Sequence, residues 1–209
     1  MSSKKELCRS WKLYVITLPG PGLLEKVRQA ILGGADVIQL RDKNATDEDL
    51  ARQAKALLQV TRAMRAPLVI NDRVLVAKIS GADGVHLGQE DGALSAAKLA
   101  LGENAIFGRS THSPDQARAA QKEGFDYIGV GPVFETPTKP GRPAAGLDYV
   151  RFVSQNISIP FVAIGGVDEN NVAQVRDAGA KAVAVVRAVM ESRDPRLAAK
   201  RLKEKMERK

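Results

Sequence analysis

One cysteine and two histidines in 209 residues leave little room for several kinds of chemistry. Cys8 alone cannot form a disulfide within the chain, and it excludes a Cys-x-x-Cys redox motif or a cysteine-based metal site. His86 and His112 are too few for a multi-histidine zinc centre. A metal bound here must take mostly oxygen ligands, which favours Mg²⁺ or Ca²⁺. Aromatic residues make up only 4% of the chain, with no basic-aromatic stripe on which bases would stack. No apolar run approaches the ~20 residues of a membrane span. The opening stretch, Met1-Ser2-Ser3-Lys4-Lys5-Glu6, lacks the apolar run and cleavage site of a signal peptide. A cytoplasmic protein is expected.

What is present is an ordinary globular composition, 44% hydrophobic and 27% charged. The length suits a single domain, with residues 1–12 as an N-terminal extension and 194–209 as a basic C-terminal helix. The net charge is +8, and half of it sits in residues 200–209. That segment reads as the solvated end of a helix. The mildly basic remainder suits a small anionic substrate as well as it suits nucleic acid.

Short β-branched runs alternate with longer amphipathic ones. Strands are expected at 13–17, 37–41, 68–71, 84–88, 106–110, 127–131, 161–165 and 182–186. Helical stretches at 22–33 and 46–64 carry apolar stripes. Thr46 and Ser113-Pro114 read as helix starts, and the pairs Gly33-Gly34, Gly81-Ala82, Gly124-Phe125 and Gly179-Ala180 as helix stops. Eight strands alternating with helices predict a compact (β/α)₈ TIM barrel. The competing open doubly wound sheet would carry Gly-x-Gly-x-x-Gly after an early strand, and Thr17-Leu18-Pro19-Gly20-Pro21-Gly22 lacks that spacing. The one long loop, 132–146, is expected to be functional.

In such a barrel the strand ends form the active face. Strand two ends Gln39-Leu40-Arg41-Asp42-Lys43, and alternation puts Gln39, Arg41 and Lys43 toward the mouth, where two cations suit an anionic ligand. Strand three ends Asn71-Asp72, and Asp91 follows strand four. Each aspartate reads as a helix cap or as half of a carboxylate pair on one Mg²⁺. His86 lies within a strand and reads as a packed ring with satisfied nitrogens. Ser110 ends strand five and suits phosphate. Thr136-Pro137-Thr138-Lys139 is a stiffened loop with two hydroxyls and an ammonium, also suited to phosphate. Gly166 allows close backbone approach after strand seven. With the Val186-Arg187 turn after strand eight, it falls where such barrels bind phosphate.

Gln39-Leu40-Arg41-Asp42-Lys43, Asn71-Asp72-Arg73, the 84–91 segment, Gly131-Pro132 with Thr136–Lys139, and Ile164-Gly165-Gly166-Val167 resemble, in this order, the blocks of the thiamine-phosphate synthase family. The resemblance runs from about residue 13 to about residue 195. It implies a transferase that joins hydroxymethylpyrimidine pyrophosphate to thiazole phosphate, giving thiamine phosphate and pyrophosphate. It implies Mg²⁺ held by Asp72 and Asp91. Gln39, Arg41, Lys43, Asn71 and Lys139 would bind the pyrimidine substrate and its leaving group, and Ser110 the pyrophosphate. Thr136, Pro137, Thr138, Gly166, Val186 and Arg187 would hold the thiazole phosphate. Arg41, Lys139 and Ser110 would be the catalytic groups. Arg187 departs from the family, where many members carry serine. The expected partners are the two small molecules, without nucleic acid or membrane. A homodimer is admitted, and the oligomeric state stays open. Two rivals remain: a thiazole tautomerase-like barrel, which Gly108-Arg109-Ser110-Thr111-His112 also resembles, and a non-catalytic sensor of phosphorylated ligands.

Overall fold

The computed structural model describes residues 4–136 and 143–208. The elements run α1 (Lys4–Ser10), β1 (Leu13–Ile16), α2 (Leu23–Leu32), β2 (Val37–Leu40), α3 (Asp47–Ala63), β3 (Leu68–Asn71), α4 (Val74–Ser80), β4 (Gly84–Leu87), α5 (Leu94–Leu101), β5 (Ile106–Thr111), α6 (Pro114–Glu123), β6 (Tyr127–Val130), α7 (Gly146–Asn156), β7 (Phe161–Ile164), α8 (Val172–Asp177), β8 (Val183–Val185), α9 (Arg187–Met190) and α10 (Pro195–Glu207). Each strand pairs in parallel with the next, and β8 closes onto β1 with Leu13 opposite Val183. The chain is therefore a (β/α)₈ barrel and not an open sheet. Among the described residues no helix is long and apolar enough to cross a membrane.

The strands sort their side chains by parity. Leu13, Val15, Ile38, Leu40, Leu68 and Ile70 belong to the large core between sheet and helices. Tyr14, Ile16, Val37, Val69, Ile106 and Tyr127 form a second cluster within the barrel, together with Trp11 and Cys8. The segment before β1 is thus packed into the barrel. Parity also sends Gln39, Asn71, His86 and Ser110 inward.

Thr46 and Ser113 cap α3 and α6, accepting from the backbone N–H of Asp49 and Gln116. Gly34, Gly81, Gly124 and Gly179 have positive φ where helices turn toward strands. Two residues after each of the first three of these glycines stands an aspartate with a second task. Asp36 accepts from the N–H of Lys12 and Leu13, Asp83 from Leu68, and Asp126 from Phe107. Each carboxylate ties the start of an odd strand to the strand that follows it. After Gly179 the corresponding residue is Lys181, which cannot accept such a bond.

Two expectations change in detail. Most strands stop one residue early, because their last expected residues already belong to the loops of the active face. The basic end of the chain is helical, but α10 is more than a solvated tail. Ala199, Leu202 and Met206 are buried, Lys203 pairs with Asp36 at 2.7 Å, and Lys205 reaches Glu169 at 3.6 Å. Its stripe of apolar residues seats on the barrel and brings those lysines to acidic partners.

Candidate active site

A cavity of about 360 Å³ opens at the C-terminal ends of the strands, a size suited to small molecules. Of the expected residues, Gln39, Arg41, Asn71, Ser110, Thr136, Gly166, Val186 and Arg187 line it. Gln39 is buried and donates from Nε2 to the Tyr14 hydroxyl at 2.8 Å. Thr136 ends the described part of its loop. Pro137, Thr138 and Lys139 lie outside the described residues. Arg187 is exposed at the rim, so its side chain borders the cavity rather than filling it.

Lys43 differs from its expected position. It is exposed and, like Asp72 and Asp91, lies beside the cavity rather than on its wall; its charge acts on Asp72. The physical reason is that β2 ends at Leu40, so strand alternation no longer governs a side chain three residues later.

Asp72 and Asp91 come together, and neither caps a helix. The cap position of α4 is Arg73 and that of α5 is Ala93, each without a capping side chain. Asp72 has φ 62, a left-handed turn directly after β3. Asp91 accepts from the Gly88 N–H at 2.7 Å, which folds the loop after β4 back on itself. The two carboxyls share a hydrogen bond. Burial, that bond and the like charge of Asp91 push the Asp72 carboxyl up to about 6, against the opposing pull of Lys43 and Asn71. Two carboxylates forced into contact form an oxygen donor set that a divalent cation relieves. Among the described residues no cluster of three or more His, Cys, Asp or Glu forms a fuller site. A pair is what Mg²⁺ uses when substrate phosphates and water complete its octahedron.

Two arginines hold the loops around this pair. Arg73 donates to the carbonyls of Ala45 and Lys43 and to Asp47, fixing the loop after β2 beside Asp72. Arg109 donates to the carbonyls of Gln89 and Gly92, with its guanidinium 5.4 Å from the Phe125 ring centre.

Across the mouth, Gly165 and Gly166 have φ of 108° and 63°. A Cβ at Gly166 would lie 2.8 Å from the Glu135 carbonyl and the Phe134 Cβ. Only glycine lets the end of β7 pass against the start of the loop after β6. The Gly131–Pro132 peptide in that loop is cis.

Several further wall residues lie outside the expected set of site residues, and of these Tyr14 went unnoticed in the sequence. Tyr14 shares its strand face with Ile16, and that parity could have flagged it. His86 has both ring nitrogens bonded, as expected of a packed ring, yet it also faces the cavity. His112 lines the wall and donates from Nδ1 to the Gly131 carbonyl. Asp168 begins the turn into α8, accepting from the N–H of Asn170 and Asn171, and it lines the wall too. Nothing in the sequence separates that second role from the first.

The geometry has relatives. A family model described as thiamine monophosphate synthase matches residues 13–189. The thiamine-phosphate synthase of Nostoc punctiforme is 47% identical over 186 residues, which cover 89% of this chain and 53% of that protein. The chain thus spans about half the length of the first curated relatives it matches. The thiamine-phosphate synthase of Thermus thermophilus is 44% identical over 201 residues, covering 93% of this chain and 97% of that protein. Among solved structures, a thiamine phosphate pyrophosphorylase from Pyrococcus furiosus superposes with a TM-score of 0.88 at 40% identity, covering 96% of this chain and 98% of that one. With its barrel, its paired aspartates and matches of this extent, the chain belongs to the thiamine monophosphate synthase family.

Proposed function

We propose that the chain is a thiamine-phosphate synthase, a transferase that joins hydroxymethylpyrimidine pyrophosphate to thiazole phosphate. In the reaction the bond from the pyrimidine methylene carbon to the pyrophosphate oxygen breaks, and pyrophosphate leaves with the electron pair. The thiazole nitrogen lone pair then forms the new C–N bond. The observation that carries this reading is the Asp72–Asp91 pair at one mouth of a barrel whose cavity is walled by Arg41, Ser110 and Gly166.

Asp72 and Asp91 would hold Mg²⁺, and the cation when bound supplies charge neutralisation to the leaving group. Arg41 offers a fixed fork of donors for a phosphate, and Ser110 a hydroxyl. Lys43 balances the carboxylate pair. Gln39 and Asn71 offer amides to the pyrimidine ring. Gly166 leaves backbone room for the thiazole phosphate, with Thr136, Val186 and Arg187 beside it. Pro137, Thr138 and Lys139 complete the expected set. The chemistry needs no enzyme nucleophile, because the thiazole nitrogen already carries a lone pair. The reading takes the protein as cytoplasmic, with two small-molecule substrates and neither nucleic acid nor membrane as partner.

The test is pyrophosphate release by the purified protein with both substrates and Mg²⁺, beside an Asp91→Ala variant. Release that requires both substrates and disappears in the variant supports the synthase and the metal pair. Binding of both substrates by folded wild-type protein, without release, overturns the synthase reading in favour of a sensor.

A further inference from the structure

Five polar side chains cross the barrel interior in an unbroken line. Gln39 Nε2 donates to Tyr14 Oη at 2.8 Å, and Tyr14 Oη lies 2.9 Å from Tyr127 Oη. Tyr127 Oη lies 2.9 Å from His86 Nδ1, and His86 Nε2 lies 2.9 Å from Ser110 Oγ. The line begins at one wall of the cavity and ends at another.

The barrel is built to hold it. A Cβ at Gly108 would lie 2.2 Å from the Tyr127 ring, and one at Gly129 3.3 Å from His86 Cε1. Glycine at both positions is the room those rings occupy. Trp11 seats edge-on against Tyr14 and Tyr127, with ring centres 5.7 and 5.1 Å away. Burial pushes both phenols well above their ordinary titration range, so both keep their protons.

Proton counting then gives the line a direction. Each phenol has one proton to donate. Tyr14 accepts from Gln39, so its own proton has a partner only if it goes to Tyr127. Tyr127 must then donate to His86 Nδ1, which leaves the imidazole proton on Nε2. Nε2–H donates to Ser110 Oγ, and the serine proton turns away from the ring, toward the cavity. With the Gln39 amide presenting Nε2 to Tyr14, the opposite direction would strand the buried Tyr14 proton without an acceptor, which a dry interior penalises.

We propose that Tyr127 and His86 are positioning residues that hold the Ser110 hydroxyl as a hydrogen-bond donor toward the departing pyrophosphate. The inference rests on the synthase reading for the identity of that anion, whereas the direction of the line does not depend on it. A donor fixed in advance stabilises charge as it develops without reorienting during the reaction.

The chain has only two histidines, so ¹⁵N NMR resolves the His86 ring once a His112→Gln variant assigns the other. The expected wild-type pattern is a neutral ring protonated at Nε2. Tyr127→Phe keeps the ring in place and removes the linking hydroxyl. It should abolish that single-tautomer pattern and lower kcat about tenfold, while KM for thiazole phosphate stays within about twofold. In a Ser110→Ala background the same substitution should cost nothing further, because the relay then has nothing to orient. A proton on Nδ1 in the wild type overturns the proposal, and so do fully additive kcat losses in the double variant. The wild-type tautomer and Ser110→Ala kinetics remain decisive even if Tyr127→Phe folds poorly. Absence of all turnover in wild type would instead strike the synthase reading and leave the tautomer measurement standing.

Discussion

Arg109 brackets Asp91. Its guanidinium donates to the carbonyl of Gln89 at 3.2 Å and to that of Gly92 at 3.0 Å, one on each side of the aspartate in the same loop. The arginine stands on β5 and the loop follows β4, so one side chain sets the height of the carboxylate over the barrel mouth. Arg73 performs the matching task one loop earlier in the chain.

Arg109→Ala should therefore weaken metal use without dismantling the core. Loss of two charge-assisted bonds at a partly exposed site corresponds to about tenfold in binding. The expected result is a Mg²⁺ requirement raised about tenfold, with kcat at saturating Mg²⁺ within about threefold of wild type. A Mg²⁺ titration of pyrophosphate release reads both numbers. An unchanged Mg²⁺ requirement would show that the loop holds its shape without the arginine.

The pair itself should give a pH signature. The Asp72 carboxyl is raised from its ordinary value of 3.8 to about 6 in the folded protein. The folded state therefore holds this proton more tightly than the unfolded chain does. Its contribution to stability is full below about pH 4 and is lost as pH rises through about 6. Above that, two carboxylates repel, and a divalent cation offsets the repulsion. Mg²⁺ should thus raise the melting temperature more at pH 7.5 than at pH 5, and Asp72→Asn should remove the difference. Thermal melts with and without Mg²⁺ at the two pH values measure it. A shift of equal size at both values would argue against the pair as the metal site.

At the opposite end of the barrel the aspartate ties affect stability alone. Asp126→Ala removes the carboxylate that accepts from the buried Phe107 N–H at 2.9 Å. Loss of a buried hydrogen bond to a charged acceptor costs about 1–3 kcal/mol, or about 5 °C in melting temperature for a domain of this size. Turnover by the folded fraction should stay at the wild-type value, since the tie lies at the bottom face. Calorimetry beside a kinetic assay separates the two effects. A drop in kcat without a drop in melting temperature would contradict this division of labour.

The barrel was legible because parallel strands buried on both faces read as plain β-branched runs, and glycines marked the ends of helices. The carboxylate pair was legible as two aspartates after adjacent strands, although a helix cap fitted each of them equally well. What removed the two aspartates from the cap positions was a left-handed turn at Asp72 and a bond from Gly88 to Asp91, and neither has a one-dimensional signature. Lys43 stands off the cavity wall because β2 ends at Leu40, three residues before it, so alternation does not govern its side chain. The Tyr14–Tyr127–His86 line was invisible for another reason. Its members lie on β1, β6 and β4, and only barrel closure brings tyrosines 113 residues apart into contact. The aspartates of the Gly-Ala-Asp and Gly-Phe-Asp segments were passed over because their partners lie at the start of the preceding strand, not nearby in sequence.

His112 is the residue that tests the rival chemistry. It faces the cavity, and a tautomerase would need a base there to move a proton. The synthase reaction as written removes no proton when the C–N bond forms, so it gives His112 no such task. The ring is already engaged through Nδ1 with the Gly131 carbonyl, at the loop after β6, which suits a wall element. General acid–base catalysis is worth about 10²–10⁴-fold. His112→Ala should therefore lower kcat by less than about tenfold, with any larger effect falling on KM as the loop relaxes. Steady-state kinetics with both substrates, beside direct measurement of their binding, reads the outcome. A loss of a hundredfold or more in kcat with both substrates still bound would make His112 an acid–base catalyst and turn the reading toward proton transfer.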